Sequence, residues 1–173
     1  INLNELYLLF CDSISDISPL SNLINLTKLD LSSCDSISDL SPLSNLINLT
    51  ILSLSSCDSI TDLSPLSNLP NVNKLNLDSC GSLSDISPLS NLSNLAWLSL
   101  RDCESLQIIT GINNIIYLQF INLSGCYHIH NKEILLECPS LKEIKYEDPL
   151  TVYIALVKGA LFRKDIPFIA KKR

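Results

Sequence analysis

The stretch "LDLSSCDSISDLSPLSNLINLT", residues 29–50, returns 23 positions later as "LSLSSCDSITDLSPLSNLPNVN", residues 52–73. Aligned on the first leucine of each unit, Leu3, Leu26, Leu49, Val72, Leu95, Leu118 and Leu141 keep that spacing without a slip. A fixed period of this length means stacked units, because one unit cannot bury its apolar face alone. Within each unit the pattern is L-x-x-L-x-L-x-x-C. It is carried by Leu29, Leu31 and Cys34, by Leu52, Leu54 and Cys57, and by Leu75, Leu77 and Cys80. Later units keep it with Leu98, Leu100 and Cys103 and with Ile121, Leu123 and Cys126. The alternation at L-x-L predicts a short strand with its leucines inward, and one strand per unit stacks into a parallel sheet at roughly 4.8 Å.

After the cysteine, Ile37 and Leu40 turn inward. Ser41-Pro42 then reads as an N-cap residue directly ahead of a proline at the first helical position, so a short α or 3₁₀ turn is expected. Ser18-Pro19, Ser64-Pro65 and Ser87-Pro88 repeat the device, and Asn25, Asn48, Asn71 and Asn94 mark the return to the next strand.

These residues resemble the leucine-rich repeat family, whose signature takes Asn or Cys at the ninth position. The resemblance covers about residues 1–148. It implies an α/β fold: a right-handed solenoid with a curved parallel sheet on its concave face and short 3₁₀/α turns on its convex face. "DLSPLSNL" resembles the internalin class and "CDSITDL" the cysteine-containing class of F-box substrate receptors, which makes the sequence a hybrid. Unit six, "CYHIHNKEILLECPSLKEI", lacks the Ser-Pro turn and resembles the longer convex helix of the second class.

Residues 1–148 therefore read as a solenoid of seven strands that begins in mid-unit, and residues 149–173 as a helical cap or tail. Pro149 follows Asp148, and Leu150, Tyr153, Ile154, Val157 and Leu161 fall at helical spacing to about Lys164. Covering the apolar end of the last layer is the expected task of such an element. Docking or dimerisation through the tail is the alternative, and membrane contact is disfavoured because the polar face carries few lysines.

The chain has 173 residues, 46% of them hydrophobic, and a formal charge of -6. That balance excludes a nucleic-acid partner, which would need a basic face. No apolar run approaches the roughly 20 residues that cross a bilayer. Aromatics are scarce and Met is absent, so the core should be aliphatic and layered.

Cys11, Cys34, Cys57, Cys80, Cys103 and Cys126 should form one column beside the sheet, as small buried side chains whose S–H reaches a loop carbonyl. A disulfide ladder is the second reading, but parallel Cβ vectors and six equivalent partners define no pairing. Metal binding is the third, and the chain offers no C-x-x-C pair and two histidines. Thiols in this number imply a reducing compartment, cytoplasmic or host-cytoplasmic, over a bacterial surface or secreted location.

Function is sought where the chain departs from its own repeat. The first outward column of the concave face reads Glu5, Lys28, Ile51, Lys74, Trp97, Phe120, Glu143. Trp97 and Phe120, flanked by Ile51, Lys74 and Arg101, have the composition of a protein-binding hot spot. The Asp residues at 12, 35 and 58 and at 16, 39, 62 and 85 form ladders suited to capping loop N–H groups. No nucleophile with its base, phosphate loop or metal cluster can be assembled, so no enzyme, cofactor or small-molecule substrate is expected. The expected partner is a protein. It would be bound as internalins, F-box receptors and the leucine-rich regulator of protein phosphatase 1 bind theirs, with self-association through the N-terminal edge or the tail as a further route. An assembly or targeting role within a larger effector or ubiquitin ligase is the alternative.

Overall fold

The computed structural model describes residues 2–146 together with Phe168 and Ile169. Seven three-residue strands follow one another along the chain: β1 Glu5–Tyr7, β2 Lys28–Asp30, β3 Ile51–Ser53, β4 Lys74–Asn76, β5 Trp97–Ser99, β6 Phe120–Asn122 and β7 Glu143–Lys145. An eighth, β8 Phe168–Ile169, pairs with β7. All run parallel in sequence order, and from β1 to β7 each residue faces the one 23 places on, as in Leu29↔Leu52↔Leu75. At the last pair the offset becomes 24, Ile144 facing Phe168. The helix expected from Pro149 to about Lys164 lies outside the described residues.

One layer shows why the period holds. Leu49, Leu52, Leu54, Cys57, Ile60, Leu63, Leu66 and Leu69 all point inward and are buried to within 1% of full enclosure. Each buried aliphatic side chain stabilises by roughly 2 kcal/mol. A one-residue slip would turn the strand leucines out to solvent.

The convex connections are 3₁₀ throughout: Ser18–Asn22, Ser41–Leu43, Ser64–Asn68, Ser87–Asn91, Ile112–Asn114 and Lys132–Glu137. Their apolar residues recur every third position. Leu40, Leu43, Leu46 and Leu49 eclipse on one side at three residues per turn, and N–H groups of Leu43, Leu46 and Leu49 each donate three residues back at 2.9 Å. An α-helix would rotate the same leucines out of line. Unit six is the longest of these turns but remains 3₁₀, so its likeness to a convex α-helix does not extend to its hydrogen bonding.

The Ser-Pro device works differently from the expected N-cap. Ser41 is itself the first residue of the turn, and no side chain of the preceding Leu40 caps it. The cap comes from two residues upstream: Asp39 accepts the Ser41 N–H at 2.8 Å, as Asp16, Asp62 and Asp85 do for Ser18, Ser64 and Ser87. A carboxylate two positions before its donor makes the tighter Asx turn. On the return leg, Asn48, Asn71 and Asn94 donate Nδ2–H to the carbonyls of Ile24, Ile47 and Pro70 in the preceding unit, at 2.8 to 2.9 Å. The asparagines staple unit to unit.

A second column lies just before the cysteines. Phe10, Ser33, Ser56, Ser79, Asp102 and Gly125 all have left-handed backbone, with φ between 55° and 81°. The conformation turns the chain off the sheet and aims the next residue, cysteine, into the core. It also aims the N–H at the next unit: Ser56 N–H meets Asp78 O at 2.7 Å, and Asp102 N–H meets Ser124 O at 2.7 Å.

Candidate functional site

In-register pairing brings Glu5, Lys28, Ile51, Lys74, Trp97, Phe120 and Glu143 into one row across the sheet. Residues at adjacent strands sit about one strand spacing apart, so two aromatics in neighbouring slots have to stack. The Trp97 and Phe120 rings lie 5.2 Å apart between centroids, inclined by 6°. Lys74 Nζ covers the Trp97 ring at 4.4 Å, and Lys145 Nζ covers the Phe120 ring at 5.3 Å. The four side chains alternate cation, ring, ring, cation over β4 to β7. Both faces of Trp97 and the outer face of Phe120 are thus covered, the last by a lysine from the neighbouring column, and the two rings remain half-buried.

At the other end of the row Lys28 bonds Glu5 at 2.7 Å, and Tyr7 donates its hydroxyl to the same carboxylate at 2.8 Å. The Lys28 hydrogen bond holds the Glu5 carboxyl below its usual range, aided by Tyr7. Below the row the floor is small and self-satisfied. Asp30 accepts from the Ser32 N–H at 2.9 Å, and Ser32 Oγ lies 2.8 Å from Ser53 Oγ and accepts from Ser55 Oγ at 2.9 Å. Asp78 accepts from Ser99 Oγ at 2.5 Å and from the Arg101 N–H at 2.9 Å.

Beside the sheet runs the thiol column. Cys34, Cys57, Cys80, Cys103 and Cys126 are buried, and each donates S–H to a carbonyl 26 residues upstream, at 2.9 to 3.2 Å. Cys11, in the first layer, is half-exposed and meets its own Leu9 O at 3.5 Å. All seven cysteines are free. Burial pushes the Cys57 thiol up to about 11 and those of Cys80 and Cys138 up to about 12. Nucleophilic thiolate chemistry is therefore remote from these residues at neutral pH. Among the described residues no three His, Cys, Asp or Glu side chains gather to hold a metal ion, and no helix is long and apolar enough to cross a membrane.

An internalin (inlF) from Listeria monocytogenes is 32% identical over 79% of this chain and 47% of its own, with a TM-score of 0.69. A second, internalin C2 (inlC2) from the same organism, is 26% identical over 91% of this chain and 67% of its own, also at 0.69. The chain belongs to the leucine-rich repeat family. It spans about half the length of the first of these internalins and two thirds of the second. The leucine-rich repeat protein in a TLR13–ssRNA13 complex is 24% identical over 74% of this chain and 19% of its own, with a TM-score of 0.57, a likeness of fold. No protein-family model and no curated protein matches the sequence.

Within the leucine-rich repeat scaffold, the five residues singled out for partner binding divide. Lys74, Trp97 and Phe120 come together in the stack. Ile51 is the next member of the row, half-buried between Lys28 and Lys74. Arg101 stands apart, one turn beyond β5, its Nε on Asp102 Oδ2 at 2.9 Å. Lys145 belongs to the stack and was missed. It sits in the second outward column, opposite Asn122, and only its long side chain brings it to Phe120. At the N-terminal edge Tyr7, Leu9 and Phe10 are exposed, Phe10 by 77%, while Leu3, Leu6 and Leu8 pack only partly against the core.

Proposed function

We propose that this chain is a protein-binding module that engages its partner through the concave face, with Trp97 and Phe120 as the anchor and Ile51, Lys74 and Arg101 around it. The carrying observation is the Trp97–Phe120 stack, a rigid aromatic pair amid small side chains whose hydrogen bonds are already made. Aromatic anchors bordered by a satisfied polar surround characterise interface hot spots, and truncating one costs about 2 kcal/mol or more. The family supports the same reading, since its solenoids serve as interaction surfaces. A protein suits the face better than nucleic acid, although one fold relative is held in a complex with ssRNA13. The chain carries -6, and the ring faces of Trp97 and Phe120 on which a base would stack are already covered. The dry thiol column favours a reducing compartment as the place of work.

Selection from a displayed random peptide library tests the proposal. Clones retained by the wild type should weaken about 30-fold or more against Trp97→Ala, Phe120→Ala. Identical clones on both proteins would remove the concave anchor. The exposed Tyr7, Leu9 and Phe10 favour a second reading, assembly through the N-terminal edge. Concentration-dependent size-exclusion chromatography of wild type and Phe10→Glu decides it, and a monomer at every concentration rejects it.

A further inference from the structure

Resting on that reading of the concave face, we infer that the Lys74–Trp97–Phe120–Lys145 row selects an acidic peptide: an extended segment presenting one apolar side chain between two carboxylates. Charge placement carries the argument. On a chain of net charge -6, Lys28, Lys74 and Lys145 project from a sheet whose own carboxylates are Glu5, Asp30 and Glu143, and what decides is which lysines those carboxylates leave open. Lys28 is engaged by Glu5 at 2.7 Å, whereas Lys145 reaches Glu143 only at 4.0 Å. Lys74 has no carboxylate partner among the described residues, and its ammonium rests on the Trp97 ring. Asp30 and Asp78, the nearby anions of the floor, are occupied by serine hydroxyls and backbone N–H groups. The stack thus ends in two ammonium groups able to donate to an outside carboxylate, with apolar ring edges between them.

The spacing of the row sets the spacing of the ligand. Contacts of 4.4 Å, 5.2 Å and 5.3 Å along the stack place the two ammonium groups at most about 15 Å apart, although Lys145 stands two residues further along its strand than Phe120's own partner. An extended peptide covers about 13 Å between residues i and i+4, and residues i, i+2 and i+4 share one face. Acid, apolar, acid at alternate positions therefore matches cation, rings, cation. A nucleic-acid strand fits poorly, because bases stack on free aromatic faces, and both faces of Trp97 and the outer face of Phe120 are covered.

Trp97 is the chain's one tryptophan and reports on the row directly. Its fluorescence is titrated at low salt with nine-residue peptides centred on Glu-Ser-Leu-Ser-Glu, Gln-Ser-Leu-Ser-Gln and Lys-Ser-Leu-Ser-Lys, and with a ten-nucleotide oligouridylate. The Glu peptide should half-saturate the change at a concentration at least tenfold below the other three. Lys74→Gln, Lys145→Gln, with an unchanged circular dichroism melt, should erase that preference. Equal response to the Gln or Lys peptide would overturn the acidic preference while leaving the concave face a protein site. Tighter response to the oligouridylate would overturn the peptide class. Silence of Trp97 toward every probe at millimolar concentration would overturn the row as a site, and the library selection described above would then show whether the face binds elsewhere.

Discussion

Replacing Cys80 by Ala and by Ser separates the two things a buried thiol does. The Cys80 side chain is fully enclosed, and its S–H donates to Leu54 O at 3.2 Å. Alanine deletes one sulfur from a close-packed layer, which costs about 1 kcal/mol in lost contact and residual cavity. It also strands the Leu54 carbonyl in a dry environment, which costs about 1 kcal/mol more. A loss of about 2 kcal/mol lowers Tm by about 4–8 °C in a domain of this size. Serine is smaller than cysteine but keeps a donor in the same slot, so it should fall between wild type and alanine. Urea unfolding at neutral pH under reducing conditions measures the order. Iodoacetamide labelling of the wild type gives a second reading, because buried thiols of raised pKa react only after opening. Alanine equal to or more stable than serine would refute the donor role and leave the column as apolar filler.

Two further perturbations test the backbone and the caps. Gly125 has φ 81°, and a Cβ there would lie 2.9 Å from the Asp102 Cα, a contact no side-chain motion relieves. Gly125→Ala should therefore destabilise by at least about 1–2 kcal/mol, whereas Ser56→Gly at the equivalent slot should be neutral or stabilise by up to about 1 kcal/mol. Thermal melts showing the same sign for both would reject the left-handed column as a source of strain. Bonds from the serine hydroxyls and N–H groups hold the carboxyls of Asp16, Asp39 and Asp62 below their ordinary 3.8. A depressed folded pKa means stability that is present above about pH 4 and lost as pH falls through the lower folded values. Asp16→Asn, Asp39→Asn, Asp62→Asn keeps an acceptor without titrating, so its Tm should decline less between pH 4 and pH 2 than that of the wild type. An equal decline would place the acid sensitivity elsewhere.

The fold was legible because layer stacking writes itself into the sequence as a single unbroken number. Every inward position from Leu3 to Leu141 is fixed by that period, and the strands occupy the positions it assigns. What escaped were features set by backbone conformation. Ser33, Ser56 and Ser79 gave no sign of positive φ, since serine seldom adopts it, and Gly125 alone hinted at the column. The cap assignment failed by two residues because Asp and Ser are both good caps and both precede the proline. Lys145 escaped because its long side chain crosses between columns to reach Phe120, a contact that position along a strand does not encode.

The same economy explains where variation is free. From Asp39 to Asn94 the inward positions are held by the core, the asparagine and aspartate positions by backbone N–H and C=O groups, and the residue before cysteine by its conformation. The outward strand positions are bound by none of these. They change chemistry from unit to unit, from Glu5 through Ile51 to Trp97. Parallel, in-register pairing then turns such changes into a row, because a substitution in one unit always lands beside the same column of its neighbours. Placing Trp97 and Phe120 in successive units was enough to build a stacked pair, and a lysine on either side was enough to close both ends. A surface feature on this scaffold is therefore assembled by substitutions whose geometry the repeat has already fixed, and a Trp97→Ser, Phe120→Ser chain should fold as before while presenting a bare polar sheet.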